Sequence, residues 1–289
     1  MMMSGVASGL VRRLVPACGA RACSSSPPSH WTHHLKSRGV LRVRGPDCAS
    51  FLQGLVTNDM RHFDDGARAI YAMMLNTKGR VLFDLIVYRH DDDRGFLLEA
   101  DRTLVSSLQS LLKIYRVRRK IDVDDVSEQT AVVAVREAGG LDGDAPAGSP
   151  DCTEHGRGAD EIPHAACTPL EYSADFLHGV SFHKGCYVGQ ELTARTHHTG
   201  VVRKRVMPLR FARAPGDAAL GGALLGPAGG RPLGKVLAVS GEHGLGLLRV
   251  AESLASAQMT LEGADGEVTT HRPSWWPLEA ARDPKAKAA

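Results

Sequence analysis

Residues 184–195, KGCYVGQELTAR, set a cysteine between two glycines directly ahead of a helix-forming run. Gly185 and Gly189 bracket Cys186, so the backbone around the thiol is free to take tight or positive-φ conformations. Lys184 stands two residues from the thiol, and a helix is expected to begin near Gly189 or Gln190 with its positive end close to the sulfur. Both effects favour the thiolate, the form that attacks electrophiles and binds metal. Glu191 and Arg195 lie four apart on that helix, the spacing of an ion pair. On residue types alone the same string reads equally well as a strand–turn–helix corner around a buried, inert cysteine.

Upstream, residues 39–44 (GVLRVR) read as a strand, and Pro46 opens a helix expected to run to residue 59 with Phe51, Leu52 and Leu55 on one face. Strand-like runs follow at 69–75, 80–90 and 95–99, joined by turns at 76–79 and 91–95 as antiparallel neighbours. Asp101 is placed to cap a helix over residues 102–115, with Leu104, Leu108, Leu111 and Leu112 at helical spacing. Strands at 118–124 and 130–136 complete an α+β lobe over 32–137. Residues 138–166 hold six Gly, three Pro and only Leu141 and Ile162 as large aliphatics. Such a stretch buries too little apolar surface to offset its ordering entropy, so 138–170 reads as a linker. Beyond the motif segment, 171–200, strands are expected at about 201–211, 232–240, 244–250, 258–262 and 266–271. Their spacing suggests a small barrel or sandwich over 201–277, plugged by Trp275 and Trp276, before a disordered end at 278–289.

Composition narrows the function classes. The 289 residues are 43% hydrophobic and 5% aromatic, and no run approaches the about 20 apolar residues that span a bilayer. The formal charge of +3 is unevenly placed: seven Lys or Arg and no acid fall in residues 1–46, leaving 28 basic against 32 acidic residues in the rest. Arg12, Arg13, Arg21 and the serines at 24–26, with apolar Leu10, Val11, Leu14 and Val15, read as a mitochondrial transit peptide over 1–31 that forms a short amphipathic helix. The localisation expected is the mitochondrial matrix. Without those arginines the chain is near neutral, which argues against a bulk electrostatic grip on nucleic acid; neither nucleic acid nor membrane is expected as a partner. Of six cysteines, Cys48, Cys152, Cys167 and Cys186 follow the presequence without a C-x-x-C pair, as free thiols or ligands in a reducing compartment.

Other signals are weaker. Cys152, His155, His164 and Cys167 have zinc-like spacing but sit in the linker without flanking elements. His183, His197 and His198 flank the motif and read as surface or packing residues. The basic runs 116–120 and 203–205 read as solvated faces, the second with a docking patch for an acidic partner as its alternative.

Taken whole, KGCYVGQELTAR and the following THHTGVVRKR resemble the signature of the folate-binding YgfZ/T-protein-like family, in its mitochondrial branch. FLQGLVTNDM (51–60), LNTKGRVLFDLIVY (75–88) and the GVSF lead-in are similar to that family too. The resemblance implies ferredoxin-like lobes of the aminomethyltransferase fold around a folate-sized cavity, with a C-terminal β-barrel. It further implies a late role in maturing [4Fe–4S] proteins together with A-type scaffold proteins. It carries Lys184, Gln190, Glu191 and Arg195 over as cofactor-binding residues, and Cys186 as the reactive thiolate and metal ligand. One cysteine cannot complete a [2Fe–2S] or [4Fe–4S] cluster, so Cys186 is expected to share one transiently with a partner. Asp84 falls where the transferase branch has its acid, and would be catalytic only in a tetrahydrofolate-dependent one-carbon transferase; Glu99, standing where transferases show Asn, weakens that reading. Family members carry a second α+β lobe where this chain has only the 138–166 stretch, so that lobe is expected to be truncated, which puts folate binding in question.

Overall fold

The computed structural model describes residues 10–16, 30–90, 95–137, 162–216, 219–227, 231–263 and 266–277. The chain divides into two compact units, the first Met1–Leu55, Asp59–Ala72 and Phe83–Ala159, the second Val56–Asn58, Met73–Leu82 and Asp160–Ala289.

The N-terminal elements are β1 (Leu10–Pro16), β2 (His30–His34), β3 (Arg38–Arg44), α1 (Cys48–Gln53), β4 (Ala69–Leu75), β5 (Val81–His90), β6 (Gly95–Asp101), α2 (Val105–Tyr115), β7 (Asp122–Asp125) and β8 (Thr130–Glu137). One sheet has the order β4-β5-β6-β3-β7 and a second the order β1-β8-β2. β6 is buried along its whole length and β3 nearly so, even though β3 carries Arg38, Arg42 and Arg44 and β6 carries Glu99 and Asp101. Asp101 accepts from Thr103 N at 2.9 Å and caps a single 3-10 turn leading into α2, whose Val105, Leu108 and Leu112 form the buried stripe. Leu35, Val40, Leu97, Val126, Val132 and Ala134 form a further core beside β8.

Three local expectations change. Residues 10–16 form a strand paired with β8 rather than an amphipathic helix, because pairing satisfies the backbone of a β8 flank that would otherwise stay open. The helix after Pro46 stops at Gln53: Gly54 follows, and Thr57 N turns away to the Met73 carbonyl at 2.9 Å. The strand predicted from 118 begins only at Asp122, since 116–120 is a solvent-facing turn with Val117 at φ 48°. β2 was not foreseen.

The second unit contains α3 (Gln190–Thr199), β9 (Lys204–Phe211), β10 (Ala223–Leu225), β11 (Gly234–Ser240), β12 (His243–Arg249), α4 (Val250–Ala255), β13 (Met259–Leu261) and β14 (Glu267–Thr270). The strands close into a six-stranded barrel in the order β10-β11-β12-β9-β14-β13. Met207, Leu209 and Phe211 point inward from β9 at period two and meet Leu224, Val236, Leu248 and Val268. Trp276 is buried in this core, whereas Trp275 is 41% exposed, so one tryptophan plugs the barrel rather than two. Arg205, at the start of β9 on the same buried alternation, is also withdrawn from solvent. Its two terminal nitrogens each donate to an Asp175 carboxylate oxygen at 2.8 Å, one of them also to the Leu170 carbonyl at 2.9 Å, and the guanidinium lies 3.9 Å from the Phe176 ring centre. That fork fastens the 170–176 segment to the barrel wall.

Candidate functional site

The motif is built from three pieces of the second unit: residues 178–190, the Val56–Asn58 strip and the tip of the β4–β5 hairpin within Met73–Leu82. Thr57 is fully buried; its hydroxyl donates to the Gly179 carbonyl at 2.6 Å and accepts from Met73 N at 2.8 Å. Asn58 Nδ2 donates to the His178 carbonyl at 2.8 Å, and Ser181 N donates to the Thr57 carbonyl at 2.9 Å. These bonds fix the lead-in to the motif before the cysteine is reached.

Lys184 then fixes the next residue. Its Nζ donates to the carbonyls of Val56 at 2.6 Å and Asn58 at 2.8 Å, and lies 4.9 Å from the Tyr187 ring centre. The ammonium that the sequence assigns to the thiol is thus engaged by main-chain oxygens. On the other side Tyr187 is buried, and burial pushes its phenol up to about 12, with the nearby Thr193 hydroxyl acting in the opposite direction. Tyr187 N donates to Gln190 Oε1 at 3.1 Å, and Gln190 N returns to the Tyr187 carbonyl at 3.3 Å. Gln190 therefore closes the turn that starts α3. Between these two anchors only Gly185 and Cys186 are exposed, and Cys186 is a free thiol.

Gly189 is the conformational pivot. Its φ of 78° is left-handed, and a Cβ there would sit 2.2 Å from the Asn76 carbonyl oxygen and 2.8 Å from Leu75 Cβ. The hairpin tip and the start of α3 can approach this closely only over a glycine. Gly185 differs: a Cβ there would meet nothing within 4 Å, and its backbone is not left-handed. Glu191 and Arg195 are both exposed, and no ion pair joins them among those of the described residues; an exposed pair gains too little to hold two long side chains in one rotamer. His197 stacks on Phe182 with ring centres 3.5 Å apart and planes 9° from parallel, and His198 meets His197 edge-on, so both serve packing; His183 is exposed.

Of the zinc-like set, Cys152 and His155 lie outside the described residues. His164 Nδ1 is 2.9 Å from the Leu82 carbonyl, and the buried Cys167 thiol donates to the Pro163 carbonyl at 3.4 Å. Among the described residues no group of three or more His, Cys, Asp or Glu is placed to hold a metal.

Asp84 belongs to the first unit, where its neighbours come from positions distant in the chain. Arg38 is buried at the start of β3, its Nε 2.9 Å from Glu99 Oε1 and its Nη2 3.6 Å from Asp84 Oδ2. Tyr88 donates its hydroxyl to Glu99 Oε2 at 2.6 Å. Burial works against the Arg38 charge, but Asp84, Glu99 and Asp101 outweigh it and hold the guanidinium above its ordinary value. Asp84 thus faces a fixed cation.

An antiparallel lobe, a closed C-terminal barrel and one exposed thiol on a doubly anchored turn define a protein of the aminomethyltransferase-like fold class. Residues 34–137 match the family model of the GCVT N-terminal domain, and residues 203–278 that of the CAF17, C-terminal beta-barrel domain. The crystal structure of glycine cleavage system aminomethyltransferase T from Bartonella henselae superposes with a TM-score of 0.62 at 12% identity, covering 86% of each chain, a likeness of fold. The iron–sulfur cluster assembly factor IBA57, mitochondrial, of Homo sapiens is 34% identical over 329 residues, covering 92% of this chain and 92% of that protein. Its Mus musculus counterpart is 33% identical over 338 residues, covering 96% and 94%. The chain belongs to the IBA57 family of mitochondrial proteins. The 329-residue human alignment is longer than the 289 residues here, so that relative carries segments with no counterpart in this chain.

Proposed function

We propose that this protein is an iron–sulfur cluster assembly factor of the mitochondrial matrix, acting late in the maturation of [4Fe–4S] proteins beside A-type scaffold partners. The cluster is cargo, and Cys186 is its point of attachment. The observation that carries this reading is the exposed Cys186 thiol held between Lys184 and Tyr187, while Cys48 and Cys167 are buried. A cluster wants four ligands, and this site offers one, so the others come from the protein that hands the cluster over. In this scheme Lys184 and Gln190 hold the turn through the bonds they make, and Glu191 and Arg195 face solvent on α3 where an incoming partner would meet them.

The aminomethyltransferase-like fold supports a second reading, a tetrahydrofolate-dependent one-carbon transferase with Asp84 as acid/base. The Arg38–Asp84–Glu99 cluster disfavours it, since it occupies the carboxylate that would move the proton. One experiment separates the two. The protein is titrated anaerobically into a [2Fe–2S]-loaded A-type scaffold protein, wild type against Cys186→Ala and Asp84→Asn, with visible circular dichroism and size exclusion as readouts. A mixed complex with a new cluster spectrum, lost in Cys186→Ala and kept in Asp84→Asn, is expected. An unchanged spectrum in Cys186→Ala would remove the thiol from the mechanism.

A further inference from the structure

The second unit carries a cleft of about 650 Å³ where the C-terminal end of α3 meets the barrel. Four cations line it, from three separate stretches of chain: Arg203 and Lys204 where β9 begins, Arg231 before β11 and Arg249 at the end of β12. Arg203, Lys204 and Arg231 are exposed, and among the described residues no carboxylate pairs with them. Two acids are near. Glu171 accepts from Thr168 N at 2.9 Å and Thr168 Oγ1 at 3.0 Å, and Glu252 lies 3.8 Å from Arg249. The helix end adds about half a negative charge. Solvating a helix terminus would account for one of these cations, and the two carboxylates for two more, so positive charge is left over. Val201 adds an apolar surface 45% exposed, with Leu170 and Val202 beside it.

We infer that this cleft is a docking surface for an acidic, partly apolar segment of a partner protein. A single phosphate-sized anion fills a small part of such a volume, which falls in the range of sites for far larger ligands. The cations stand in water rather than closing on one point, an arrangement that steers and registers an extended anionic chain. Nucleic acid is the poorer fit, because no aromatic side chain lines the cleft to stack a base. The inference is independent of cluster chemistry, but it has a geometric bearing on it. α3 runs from the turn after Cys186 to this cleft, ten residues or about 15 Å of helix, so one partner could engage both ends.

The test uses fluorescence anisotropy of a fluorescein-labelled twelve-residue peptide of Asp, Glu and two Leu, with the full chain and no cluster present. At 50 mM salt the triple reversal Arg203→Glu, Lys204→Glu, Arg231→Glu should raise Kd at least tenfold. An equal reversal elsewhere on the barrel, Arg210→Glu, Arg213→Glu, Lys235→Glu, should raise it less than threefold. The neutral set Arg203→Gln, Lys204→Gln, Arg231→Gln, checked by circular dichroism, should weaken binding by an intermediate factor and guards against misfolding. Equal loss in both reversals, or no binding by wild type, overturns the inference. So does displacement of the peptide by 1 mM inorganic phosphate, which would mark a small-anion site, or tighter binding of a thymidine oligonucleotide through the same residues.

Discussion

Replacing Arg205 with Met deletes a guanidinium that is 7% exposed and leaves behind a carboxylate that is 13% exposed. Asp175 loses two hydrogen bonds of 2.8 Å and the Leu170 carbonyl loses one of 2.9 Å. Removing one partner of a buried ion pair costs about 3–5 kcal/mol, and the residual water access of Asp175 places this case near the lower end. Asp175→Asn keeps a hydrogen-bonding side chain and should cost about 1–2 kcal/mol. In the double variant neither charge is stranded, so a coupling of about 1–3 kcal/mol is expected. Urea unfolding followed by tryptophan fluorescence reads it out, because the buried Trp276 ring lies 5.8 Å from the Arg205 guanidinium. Single effects that add to within about 0.5 kcal/mol would refute the view that this fork ties the 170–176 segment to the barrel.

Gly189→Ala combines a left-handed backbone with a Cβ 2.2 Å from a carbonyl oxygen and should cost at least about 2 kcal/mol, whereas Gly185→Ala, with open space around it, should stay within about 0.5 kcal/mol; thermal denaturation of both checks the contrast. Arg38→Met strands Asp84 and Glu99 and should destabilise by about 3–5 kcal/mol, with partial recovery on adding Glu99→Gln, measured in the same urea assay. Asp59 accepts from the Arg61 side chain, which holds its carboxyl well below the usual carboxylate range, with Arg61 N and Gln53 adding to the effect against burial. Because the folded value is depressed, its stabilisation is complete above about pH 4 and fades as pH falls below that; Asp59→Asn should flatten the stability profile between pH 4 and 2 while leaving its slope at neutral pH unchanged.

The strands β3 to β6 and five of the six barrel strands were readable because apolar runs and turn residues stand next to each other in the chain; the three-residue β10 was too short to register. What failed locally was decided at a distance. β1 and β2 are strands by virtue of pairing with β8, and nothing in LVRRLVP or HWTHH announces it. The helix after Pro46 was overextended because Thr57 has a partner 122 residues away. At the site, the pivot at Gly189 followed from a contiguous string, whereas Cys186 read equally well as buried or reactive until the fold placed it in solvent. The anchoring role of Lys184 did not, since its acceptors lie 126 and 128 residues earlier and are backbone atoms without a residue-type signature. Arg38 was missed for a related reason: an arginine at a strand start reads as solvated until the fold brings Glu99 and Asp84 around it.

The fastening of Lys184 on one side and Tyr187 with Gln190 on the other leaves a free span of two residues around the thiol. A loose loop must be immobilised whenever its cysteine enters a coordination sphere, at about 1–2 kcal/mol of backbone entropy per residue ordered. Here most of that ordering is already done by folding. On the function proposed above, capture and release of a metal centre by Cys186 would then involve little more than the sulfur–iron bond itself, as suits a carrier that must let go as readily as it takes hold.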